Sequence, residues 1–89
     1  MADKNEIRLC ELAVGERGEV VRLECKGAMR RRLLDMGFST GVCVEKIGDS
    51  PSFDPSAYLV RGAVIALRKK DSADIYLRTP DERGMEVWD

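Results

Sequence analysis

The groups in this chain with chemical potential are sixteen carboxylates, three thiols and a run of three arginines. Histidine is absent. The commonest general base and the commonest transition-metal ligand are therefore missing. No two carboxylates occupy an apolar run that would drive their pKa values apart, as an acid and base pair requires. No serine has a histidine partner, and no glycine loop has the phosphate-cradling form. Enzyme activity is not expected. The thiols Cys10, Cys25 and Cys43 are odd in number and show no C-x-x-C spacing, so neither a disulfide framework nor a zinc site follows. Cys25 and Cys43 approach each other only if their strands are neighbours, and packed, reduced thiols are the expectation for all three. No metal site and no cofactor are assigned.

The arginines are Arg30, Arg31 and Arg32. At 100° per residue they cannot share one narrow helical face. Arg30 and Arg31 suit a solvated helix back or an electrostatic contact with an acidic partner or a phosphate. Leu34 falls between them on the helical wheel, roughly 135° from the stripe made by Met29, Leu33 and Met36. An apolar residue there is an innocent surface residue, is buried by a neighbouring loop, or is a partner contact. Phe53 sits in Gly48–Ser56, between Pro51 and Pro55, whose rings fix φ. It either caps the barrel end or stands exposed as an interface anchor. Candidate partner-binding residues are thus Leu34, Phe53, Arg30 and Arg31. Trp88, one residue from the C-terminus, either docks on the domain or lies in a disordered end.

The elements that must position these residues are short. Strands are expected at Glu19–Cys25, Val42–Ile47, Ala57–Val60, Ala63–Arg68 and Asp74–Arg78. Val21, Leu23 and Cys25 alternate with Arg22 and Glu24, the period of a half-buried strand. Arg61-Gly62 has the length of a tight hairpin turn, and Lys69–Ala73 reads as a short polar connection. The helical stripe of Met29, Leu33 and Met36 places one helix near Ala28–Asp35, with Gly37 as its terminating residue. Gly15, Gly37, Gly41 and Gly62 are expected at turns. Five strands and one inserted helix make a small, mainly β barrel with one or two short helices.

Eighty-nine residues allow one domain with a modest core. At 44% hydrophobic and 35% charged residues, the composition is that of an ordinary globular protein. The net charge of -1 does not indicate nucleic-acid binding. No apolar run reaches the length of a membrane span, and the N-terminus lacks the apolar core of a secretion signal, so a cytoplasmic location is expected. Residues 1–6 and 79–89 are expected to be loosely ordered ends around a domain at 7–78.

The order of motifs resembles the FeoA family. The residues that carry the resemblance are Leu12, Gly15 and Gly18, then Arg32-Leu33 with Met36-Gly37-Phe38 and Gly41. Pro51, Asp54-Pro55, Gly62 and Ala66-Leu67-Arg68 continue it. It runs through residues 7–78. It implies an SH3-like barrel and an accessory role beside FeoB, a membrane ferrous-iron transporter with a cytoplasmic G-protein domain. The expected partner is the cytosolic part of such a transporter. Transition-metal association follows only for the family, with no residue here assigned as a ligand. On the G domain, Arg30 or Arg31 would be a candidate arginine finger, ranked below simple docking. The alternative is a stand-alone regulatory domain resembling the SH3-like barrel of iron-dependent transcriptional repressors, acting in trans because the chain has no room for a DNA-binding domain.

Overall fold

A computed structural model describes residues 6–79. The expected loose ends at 1–5 and 80–89, with Trp88, lie outside the described residues. Glu6, assigned from sequence to the N-terminal end, opens a strand.

The elements are β1 (Glu6–Arg8), a 3₁₀ turn (Leu9–Glu11), β2 (Arg17–Leu23), α1 (Gly27–Asp35), β3 (Cys43–Asp49), β4 (Ser56–Val60), β5 (Ala63–Leu67), α2 (Lys69–Ser72) and β6 (Ile75–Arg78). The strands form one antiparallel sheet in the order β1-β6-β2-β3-β4-β5, so β1 and β5 are its edges. All five expected strands and the helix are present. β1 and the 3₁₀ turn have too few residues to show a period. α2 replaces the expected polar connection at Lys69–Ala73. Its single turn starts because the Asp54 carboxylate accepts a hydrogen bond from the Lys69 amide at 2.9 Å, capping a donor with a residue distant in sequence.

The core is built from Leu9, Leu12, Val20, Leu33, Phe38, Val44, Tyr58, Val60, Leu67, Ile75 and Leu77, with Met29, Met36, Leu23 and Cys25 packed partly against it. One expected phase is corrected. Val20, not Val21, is the core residue of β2. The register slips between Val20 and Arg22, so Val20 faces Leu77, Arg22 faces Tyr76 and Leu23 faces Ile75. The bulge at Val21 resets the parity and returns Leu23 to the inside.

Two turns fix the frame. Arg61 and Gly62 have φ of 51° and 84°, the signs of a type I′ hairpin turn, and Val60 pairs with Ala63 across it. Gly37 has φ of 109° just past α1. No helix among the described residues is long and apolar enough to cross a membrane.

Candidate partner-binding surface

A nine-residue helix is marginal alone, so packing must hold α1. Leu33 is fully buried and sets its phase. The C-terminus closes in a paired hydrogen-bond motif. The Phe38 amide donates to the Leu33 carbonyl at 3.1 Å, and the Gly37 amide donates to the Leu34 carbonyl at 3.0 Å. This is the Schellman arrangement, with the Leu33 and Phe38 side chains both in the core.

With Leu33 inward, the next residue must point away. Leu34 is 38% exposed. Together with Arg30, Arg31, Asp35 and Gly27 it lines a shallow concavity of about 360 Å³. The structure thus brings together three of the four sequence-chosen residues. Arg30 reaches back to the Leu23 carbonyl at 3.5 Å, a long contact that orients it along β2. Arg31 makes no hydrogen bond or ion pair among the described residues. The result is one apolar side chain between two guanidinium groups, suited to a contact with an apolar centre and an acidic rim.

Phe53 stands apart, on a different concavity. It is 74% exposed and does not cap the barrel. Its loop is tightly tied. The Phe53 amide donates to the Ser50 carbonyl at 2.8 Å, closing a turn with Pro51 at its second position. The Asp54 amide donates to the Ser50 hydroxyl at 3.1 Å, and the Asp54 carboxylate holds the Lys69 amide. Phe53 itself has φ of 68°, a left-handed conformation unusual for a large side chain. The ring is held out rather than left loose.

Sequence reasoning missed two features. Val64 on β5 is 65% exposed, and the alternation of Val64 and Ala66 with Ile65 and Leu67 was the available signal. Beside Phe53, Asp49 accepts from the Ser56 hydroxyl at 2.6 Å and from the Lys46 ammonium at 2.9 Å. The Ser56 bond first, then Lys46, holds the Asp49 carboxyl below its ordinary range. No sequence signal marks that trio, because the β3–β4 register assembles it.

The three thiols are free, and burial raises the pKa of Cys43. Cys43 pairs with Glu19, not with Cys25. Among the described residues no group of three or more Cys, Asp or Glu side chains is placed to hold a metal ion.

Comparisons with known proteins bear on the fold and the family. A Fe(2+) transport protein A/Fe(2+) transporter FeoB fusion protein of Porphyromonas gingivalis is 36% identical over 69 residues, covering 78% of this chain and 8% of that protein. The chain therefore spans less than a tenth of that relative's length. A FeoA-like protein from Clostridium acetobutylicum superposes with a TM-score of 0.78 at 28% identity, over 86% of this chain and 90% of that one. The fold is also that of Stenotrophomonas maltophilia FeoA in complex with zinc, described as a prokaryotic SH3 domain protein. That match has a TM-score of 0.70 at 23% identity and covers 81% of this chain and 96% of that one. The six-stranded sheet is thus an SH3-like fold. The family model for the FeoA domain matches residues 7–79, and the chain belongs to the FeoA family.

Proposed function

We propose that this chain is a cytoplasmic accessory protein of a FeoB-type ferrous-iron importer and acts by docking on the transporter's cytosolic part. One observation carries the reading: in the Porphyromonas gingivalis relative a matching domain is joined to the transporter in one polypeptide. Covalent joining raises the effective concentration of two modules and is useful when they meet. The docking surface in this reading is Leu34 with Arg30 and Arg31, and Phe53 is a second anchor. Leu34 supplies apolar burial, and the arginines supply steering toward an acidic surface.

The test is a pull-down and a binding titration with the cytosolic part of the FeoB encoded by the same organism. Saturable binding, with a dissociation constant on the order of 1 μM, is expected for a small regulatory contact. No binding at a hundred-fold higher concentration sinks the reading. Capture of a helix-turn-helix regulator instead, with no transporter binding, would transfer the assignment to the regulatory-domain alternative.

A further inference from the structure

The concavity beside Phe53 has features of a site rather than of a packing flaw. It measures about 170 Å³, and its walls include Lys46, Asp49, Phe53, Ser56, Tyr58 and Lys69. Tyr58 is only 1% exposed, and its hydroxyl has no hydrogen-bond partner among the described residues. Buried hydroxyls are nearly always bonded, and an orphan costs the desolvation of the group. The cavity that Tyr58 lines is where a partner can reach it.

The other walls define that partner's chemistry. Asp49 is already engaged by Ser56 and Lys46. Lys46 has three ammonium donors, and Asp49 takes one. The Lys69 side chain forms no hydrogen bond or ion pair among the described residues. Two ammonium groups around one carboxylate leave a single positive charge unmatched. The volume is close to the roughly 150 Å³ that encloses a benzene-sized group, and well below the roughly 300 Å³ at which drug-sized pockets begin. A nucleotide does not fit. A single carboxylate does: it is a monoanion, planar and acceptor-only, and Tyr58, Lys46 and Lys69 offer donors to it.

The geometry points to a carboxylate-binding pocket in which the Tyr58 hydroxyl, Lys46 and Lys69 receive one Asp- or Glu-sized acid beneath the exposed ring of Phe53. The acid is either a side chain presented by a protein or a free small carboxylate. The pocket's chemistry does not depend on which transporter or regulator the chain serves.

The experiment is an amide-shift NMR titration of the whole chain with sodium acetate. Controls are acetamide, which has the same shape without the charge, and sodium chloride at matched ionic strength. Acetate is expected to shift the amides of Ser56, Tyr58 and Lys69 saturably, with a dissociation constant on the order of 1 mM for so small a ligand. Tyr58→Phe should weaken this roughly five-fold, about the effect of one hydrogen bond. It should not lower the melting temperature, since the hydroxyl has no bond in the protein to lose. Lys69→Gln, on an exposed residue, should also weaken acetate binding and keeps the test decisive if Tyr58→Phe folds poorly. A capped glutamate, N-acetyl-glutamic acid amide, separates the sources. Tighter binding than acetate assigns the pocket to a protein side chain, and binding of acetate alone assigns it to a free carboxylate. The proposal is overturned if acetate gives no saturable shift, if acetamide gives the same shifts, or if both variants bind acetate as the parent does.

Discussion

The Phe38 amide donates to the Leu33 carbonyl at 3.1 Å, and both side chains lie in the core. The backbone closure of α1 and its only fully buried side chain are therefore one unit. Leu33→Ala is expected to destabilise the fold by about 2–5 kcal/mol in urea denaturation, as deep core truncations do. Gly37→Ala should cost about 1 kcal/mol or more, since φ is 109° and a Cβ would meet Val60 at 3.3 Å. A loss below half a kcal/mol for Leu33→Ala would mean the helix phase is wrong.

Leu34 and Phe53 are expected to behave in the opposite way. Both are exposed, at 38% and 74%. Leu34→Ala and Phe53→Ala should leave the melting temperature nearly unchanged and weaken binding to the transporter's cytosolic part by over about 1 kcal/mol each. Unchanged affinity in both variants removes this surface from the reading. Loss of folded protein returns the residues to the core.

Arg30 and Arg31 rim that surface. Arg31→Ala should reduce the association rate and flatten its dependence on ionic strength, with a smaller effect on dissociation. Arg30→Ala also removes the contact to the Leu23 carbonyl, so it should lower stability slightly as well. Stopped-flow association measured at several salt concentrations reads both. Identical salt slopes for parent and Arg31→Ala would exclude a steering role.

Asp49 sets a pH dependence. Its folded-state pKa lies below the ordinary carboxylate value because Ser56, then Lys46, bonds the charged form. A lowered folded pKa adds stability that is complete above the unfolded value and is lost as pH falls through the folded one. The parent should therefore be more stable than Asp49→Asn at neutral pH, and the gap should close as the pH drops below about 4. Chemical denaturation of both proteins from pH 7 to pH 3 checks this. A constant gap would contradict the assignment.

Ferrous iron is expected to bind the isolated chain weakly at most. Histidine is absent from the sequence, and the described residues hold no group of three thiols or carboxylates placed for a metal. Anaerobic titration should give no stoichiometric complex of micromolar affinity, and such a complex would overturn the expectation.

The sequence showed α1 with its buried and exposed faces because nine residues carry a complete helical period. Leu33 inside and Leu34 between two arginines both followed from 100° steps. The strands were legible as runs, but the side Val20 faces was not. A bulge is a property of pairing, and β2 shows it only against Tyr76 and Leu77 of β6. The Tyr58 cavity was invisible for the same reason. Its walls come from residues between Cys10 and Ser72, and only the sheet register brings them together. α2 was missed because the carboxylate that starts it is Asp54, fifteen positions earlier.

Among the described residues β5 is an edge of the sheet, with the exposed Val64 on it. Such an edge invites another copy to add on. The cations at its ends, Arg61 in the turn and Arg68 just before α2, bear on that outcome. If two copies met antiparallel along β5, Arg61 of one would lie beside Arg68 of the other at both ends, and opposed like charges disfavour strand pairing. The same arginines would not repel a strand flanked by acids. A charge pattern of that kind disfavours pairing with a like edge without closing the strand to an acidic one.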